Sequence, residues 1–308
     1  MKLENKGVLL ALLTAVVSGV SIFANSFAVK GVDAFILTTF RNLSVALLLV
    51  ALIVLLKEWK SVKALSKKSW AKLAALGLVG GSVPFLLFFY ALTQTTAVNA
   101  GFIHKTMFVW TTLLAVVFLK EKPGKAFLAA AGLLLAGNLL LSLTISSFVF
   151  ADLLVLAAVL LWSVENVYAK RVLKDLNARV AAFGRMFFGA LFMLTFLAAT
   201  GGLAKAAVLS FDQIGWILLT TPLLFGYVAF WYSSLKSINV SRATAVLMLG
   251  QPVTVLLSAV FLGKAVSLVE IAASALITFG VVLAVKNAFF LSALKTKVGF
   301  ASSAEKRG

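Results

Sequence analysis

The chain has 308 residues, 62% of them hydrophobic and only 12% charged, with a formal net charge of +18 and a mean hydropathy of +1.08. Soluble domains carry about 25% charged residues and have no core large enough to hide this much apolar surface, so lipid is the expected solvent. No cysteine is present, which excludes disulfides, thiolate metal sites and a cysteine nucleophile; a lone histidine, His104, excludes multi-histidine metal sites.

The N-terminus is basic and then apolar, as in a signal peptide. Its apolar stretch runs on to about Ala28, long enough to span a bilayer. Ten such segments are predicted, at 7–28, 34–56, 73–92, 97–119, 126–144, 149–169, 180–200, 214–235, 243–262 and 266–285. Most links between them are short, so consecutive helices are antiparallel neighbours. The links 57–72 and 170–179 are longer and basic. The expected fold is an all-α integral membrane protein of ten transmembrane helices.

Charge placement orients the chain. With both termini in the cytoplasm, nearly all of the 28 Lys and Arg residues fall on the inner side. Lys30, Lys205 and Lys264 fall on the outer side, and Arg41, Lys105 and Arg185 lie within helices. This is the positive-inside asymmetry of a cell-membrane protein. The basic surface is therefore expected to meet anionic lipid rather than nucleic acid.

The two halves repeat. FLKEKPGKAFLAAAGLLLAG at 118–137 aligns with FLGKAVSLVEIAASALITFG at 261–280, an offset of 143. ALTQTTAVNAG at 91–101 aligns with SLKSINVSRAT at 234–244, and Arg41 nearly matches Arg185. Five helices per half is an odd number, so the copies are inverted, an arrangement used by transporters with a midplane site. The predicted units are a first repeat at 1–146, a second at 147–286 and a cytoplasmic tail at 287–308.

With these motifs the sequence resembles the drug/metabolite transporter superfamily, EamA type, over nearly its whole length. The resemblance rests on Arg41 in FRNLSVALLL and on Asp152 and Trp162 in ADLLVLAAVLLWSVENVYAKRVL. It rests also on SINVSRATAVLMLGQPVTVLLSAVFLGK with Pro252, and on Glu121 in VVFLKEK. It implies ten helices, cytoplasmic termini, a central cavity and transport of small metabolites, often outward. Three features depart from the pattern. Val109 stands where a proline is expected, Lys264 is the counterpart of Glu121, and His104 and Lys105 form an unusual pair.

Lys105 is near the middle of a span, where a lysine costs about 2.5–3.5 kcal/mol on insertion scales. It is expected to face either a wet cavity, meeting a substrate carboxylate or phosphate, or a structural partner such as Glu165 or a backbone carbonyl. In a straight helix Gly101, His104, Lys105, Phe108 and Thr112 share one face. The offset maps that face onto a second stripe with Thr244 and Gln251. Lys105, His104, Phe108, Thr112, Thr244 and Gln251 are therefore the candidate substrate-binding residues. His104 is read as a proton relay or a packing residue. Arg41, Arg185 and Glu165 are candidates for gating or coupling; the arginines could instead snorkel or pair with acids at helix ends, and Glu165 could be interfacial. Pro84 and Pro222 are candidate hinges. No cofactor or metal is expected.

The function expected is secondary active transport of small polar metabolites by alternating access, with amino acids or related compounds favoured and export the favoured direction. The alternatives are a sugar-phosphate or organic-anion exchanger and a non-transporting membrane assembly protein. An intramembrane enzyme is disfavoured, because HExxH, GxSxG and central aspartate pairs are all missing.

Overall fold

The computed structural model describes residues 3–95, 97–143 and 147–305, with side chains over 3–95, 99–143 and 147–286. Among the described residues ten helices are long and apolar enough to span a bilayer: α1 Leu3–Gly31, α2 Ala34–Leu55, α3 Lys67–Leu92, α4 Asn99–Leu119, α5 Lys125–Ser142, α6 Phe150–Asp175, α7 Ala178–Ala199, α8 Phe211–Ser237, α9 Val240–Leu262 and α10 Leu268–Lys286. Among the described residues there is no strand. The helix of α10 continues to Glu305, through most of the expected tail, whose side chains lie outside the described residues.

Observed ends differ from the expected ones where polar residues extend a helix beyond the apolar core. Ser66 Oγ accepts the Ser69 amide at 3.2 Å, so α3 starts inside the basic link, ahead of its apolar run. That link also holds a short helix, Trp59–Lys63. Arg179 of α7 donates through Nε to Glu58 at 2.7 Å, and this bond holds the Glu58 carboxyl below its ordinary range. Asp33 caps α2 through the Phe35 and Ile36 amides, and Ser210 with Gln213 forms a capping box on α8.

Packing repeats across the two halves. Helix α1 packs on α8 and α9, as α6 packs on α3 and α4; α2 meets α7 and α5 meets α10. The α5–α10 seam makes the inverted two-fold explicit. A Cβ on Gly137 would lie 2.9 Å from the Ala273 carbonyl, and one on Gly280 would lie 3.2 Å from the Ala130 carbonyl. Both residue pairs are related by the sequence offset. Without a hydrophobic drive between helices in lipid, such small-residue contacts let backbones pack closely.

Three irregularities shape the interior. In α4 the helix ending at Lys105 and the helix starting at Met107 are separated by Thr106, whose amide bonds back to Ile103 O at 3.0 Å. In α9 the break falls at the equivalent place, between Leu247 and Gly250. Pro252 lacks an amide hydrogen, which accounts for the second break; no proline is present near Thr106. In α3 a π-helical segment, Gly77–Ser82, precedes Pro84. Pro222 instead lies within a continuous α8 and faces outward.

Candidate functional site

Between the two halves lies a cavity of about 840 Å³. Its mouth is at the face opposite the termini, beside Lys30, Thr95, Lys264 and Glu270, and its inner end reaches Glu165, Arg185 and Trp231 near the centre of the bundle. The halves of α4 and α9 nearer that mouth line it through His104 and Met107 on one side and Gln251 and Ser258 on the other.

The π segment organises the inner end. An i→i+5 bulge releases backbone carbonyls from the helical ladder. The Gly80 carbonyl accepts from Trp162 Nε1 at 3.1 Å and from Arg185 Nη2 at 2.9 Å. The Gly81 carbonyl accepts from Asn42 Nδ2 at 3.0 Å. Three helices are thus tied to one irregular turn. Gly80 also makes room for Glu165, since a Cβ there would lie 2.2 Å from Glu165 Cγ.

Glu165 and Arg185 form a buried ion pair at 3.5 Å, with side chains only 2% and 6% exposed. Tyr232 Oη donates to the same carboxylate oxygen. Asn166 Oδ1 accepts from Trp231 Nε1 at 2.9 Å. Above this cluster Phe85 and Phe89 stack with centroids 6.3 Å apart. The Arg185 guanidinium lies 5.4 Å from the Phe85 ring centroid and that of Arg41 lies 5.0 Å from the Phe89 centroid, so the two arginines flank the phenylalanine pair. His104 packs edge-on against Phe88 and Trp162 at 5.6 and 5.5 Å.

The face of the termini is sealed. There the halves of α4 and α9 nearer the termini pack together. Glu121, at the end of α4, accepts from the Val240 amide at 2.8 Å and the Ser241 amide at 3.2 Å, an anion on a helix N-terminus. Lys170 Nζ donates to Ile238 O at 2.7 Å, and Arg171 Nη2 donates to Phe118 O at 2.6 Å. At the opposite face Lys264, the offset partner of Glu121, pairs instead with Glu270 at 2.9 Å. An ammonium cannot accept helix amides, so the two faces are not chemically equivalent. Glu121→Ala is expected to loosen the seal. Charged hydrogen bonds contribute about 1.5–3 kcal/mol each, so labelling of a Thr244→Cys thiol in detergent should accelerate about tenfold or more. An unchanged rate would remove Glu121 from the seal.

The structure brings His104, Gln251, Arg41, Arg185 and Glu165 to the cavity. It does not bring Lys105, Phe108 or Thr244 there. These line a separate void of about 10 Å³ with Met107, Leu247 and Met248. Lys105 is 3% exposed, and its Nζ lies 3.4 Å from where a Cβ on Gly250 would sit, in the seam between α4 and α9. Among the described residues its ammonium has no hydrogen-bond partner, so neither the expected cavity contact nor the expected pairing with Glu165 forms there. The physical reason is the paired breaks. A straight helix would carry the stripe through, but the break at Thr106 reorients Phe108 and Thr112, and the break near Leu249 separates Thr244 from Gln251. Pro84 is buried beside the π segment, outside the cavity lining. The sequence reading missed Asn25 and Ser21 of α1. Their signal was a polar i, i+4 pair, with Ser18 one turn earlier, in an otherwise apolar span.

Ten spans in two inverted halves, enclosing a cavity between broken helices, define the class of membrane transporters. The chain belongs to the EamA-like transporter family, whose family model matches residues 5–143 and 149–286, and so to the drug/metabolite transporter superfamily. A curated relative, an uncharacterized transporter of Archaeoglobus fulgidus, is 28% identical over 247 residues, covering 77% of this chain and 83% of the relative. A solved crystal structure of a protein superposes with a TM-score of 0.74 at 20% identity, covering 94% of this chain and 99% of that one, a likeness of fold alone.

Proposed function

We propose that this transporter is a secondary carrier that moves small polar metabolites, amino acids or related compounds, across the cell membrane by alternating access, with export favoured. The observation that carries the reading is a cavity of about 840 Å³ that runs from one face to a buried ion pair at the bundle centre while the other face is sealed. With the termini cytoplasmic, as the basic links at 57–72 and 170–179 favour, this is an outward-open state. Those links then rest on anionic headgroups of the inner leaflet. Within this reading Glu165, Arg185, Arg41, His104 and Gln251 contact or gate the solute. Lys105, Phe108, Thr112 and Thr244 belong to the α4–α9 region that must rearrange when the cavity changes sides. Pro84, with the π segment, and Pro222 supply the bends.

The test is uptake into proteoliposomes of amino acids, organic acids and sugar phosphates, with and without a pH gradient. Saturable uptake of at least one solute is expected. Uptake that needs the gradient would assign proton coupling, with Glu165 the first residue to substitute; uptake that needs internal solute would assign exchange. Folded, correctly reconstituted protein that moves none of the panel would sink the assignment to these solutes.

A further inference from the structure

Among the described residues six charged side chains line the cavity: Lys30, Arg41, Arg185 and Lys264 against Glu165 and Glu270. Arg185 is compensated by Glu165 at 3.5 Å, and Lys264 by Glu270 at 2.9 Å. Lys30 is at the mouth and exposed. Arg41 remains. It is 2% exposed, yet no carboxylate among the described residues pairs with it. Its Nη1 donates to the neutral amide oxygen Asn25 Oδ1 at 2.8 Å, and its Nε is buried with no partner among the described residues.

The two halves thus treat equivalent arginines differently. The arginine of α7 meets a carboxylate from α6; the arginine of α2 meets an amide from α1. A guanidinium presents five donors in a planar fork that suits carboxylate or phosphate. Buried without an anion, it keeps a large desolvation cost that a bound anion would offset. The phenylalanine face beneath it supplies no acceptor of that strength.

We infer that Arg41 is the anion-docking residue of the cavity, so that the transported solute carries a carboxylate or phosphate held on the Arg41 fork beside Asn25. The inference rests on the transport reading for its physiological meaning and on local charge alone for its chemistry. It moves the anion contact expected at Lys105 to a cation that the cavity reaches. Lys30 at the mouth adds attraction for anions on entry. Neutral and purely cationic solutes are excluded as preferred cargo.

The chain lacks cysteine, so Ser21→Cys introduces a unique thiol. Ser21 Oγ accepts from Asn25 Nδ2 at 3.2 Å, which places that thiol one side chain away from Arg41. Purified protein carrying Ser21→Cys is labelled with a sulfonate-bearing and a trimethylammonium-bearing methanethiosulfonate. The sulfonate reagent is expected to gain about tenfold in relative rate over their ratio on free thiol, as for one unscreened charge at this range. Acetate or inorganic phosphate should slow labelling while acetamide does not; the more protective of the two identifies carboxylate or phosphate cargo. Adding Arg41→Gln should remove both the charge preference and the protection. Equal rates for the two reagents, or protection that survives Arg41→Gln, would overturn the proposal. If Arg41→Gln does not fold, the protein that keeps Arg41 decides alone, and absence of anion protection overturns it. Uptake of the solute panel separates the two readings: anion protection without uptake leaves the anion site standing and removes the transport assignment to those solutes.

Discussion

Gly81→Ala is expected to destabilise the purified protein by about 3 kcal/mol or more, the upper range for overpacking against backbone. A Cβ on Gly81 would sit 2.2 Å from the Arg185 carbonyl oxygen, and one on Gly189 would sit 2.5 Å from the Gly81 carbonyl oxygen. Both obstacles are main chain, so no side chain can swing aside. The two helices would have to separate, and separation pulls on the bonds that Gly80 and Gly81 make to Trp162, Arg185 and Asn42. The loss is therefore cooperative and reaches the inner end of the cavity. Gly132→Ala is the control, because nothing lies within 4 Å of its added Cβ. Thermal unfolding in detergent should show a large drop for Gly81→Ala and none for Gly132→Ala. Equal transitions for Gly81→Ala and the parent would mean that α3 and α7 pack more loosely than described.

Breaking the Glu165–Arg185 pair from one side should be the other large effect. Removing one partner of a buried pair leaves an uncompensated charge and costs about 3–5 kcal/mol. Glu165→Gln keeps the shape and still offers Tyr232 an acceptor oxygen, so the loss reports the charge and not a cavity. Arg185→Gln should cost a similar amount, since it strands a carboxylate whose side chain is only 2% exposed. The double substitution should recover much of the stability, because no charge is left alone. Transport is expected to fail in all three proteins. Strictly additive losses in the double-mutant cycle would show that the two groups do not compensate each other. Recovered stability without recovered transport would separate the folding role of the pair from its role toward the solute.

The irregular backbone is where the sequence reading stops short. Pro84 pointed to a bend in α3, but not to a π segment with three side-chain bonds on its carbonyls. No break is expected at Pro252 in α9, because the stripe through Thr244 and Gln251 assumes a straight helix, yet the structure has one there. Nothing at Thr106 signalled its mirror in α4, where Val109 stands in place of the proline. The break in α4 nevertheless falls at the position equivalent to that in α9. The depth of Lys105 in the membrane is plain from span boundaries, whereas its place against Gly250 in the α4–α9 seam is set by helix packing.

The sequence by itself determined what depends on solvent and symmetry. Lipid sets span length and apolarity, so the ten helices stand in the composition, and the repeat at offset 143 carries the inverted halves. Tertiary structure decided which charges meet. Glu165 and Arg185 are twenty residues apart and pair only because the π segment brings α3, α6 and α7 together. Among the described residues Arg41 meets Asn25 and no acid, because α1, unlike α6, offers an amide at that place. Hydropathy fixes how deep a side chain lies. Which way it faces, and what it finds there, is set by helix breaks and crossings that only long-range packing specifies.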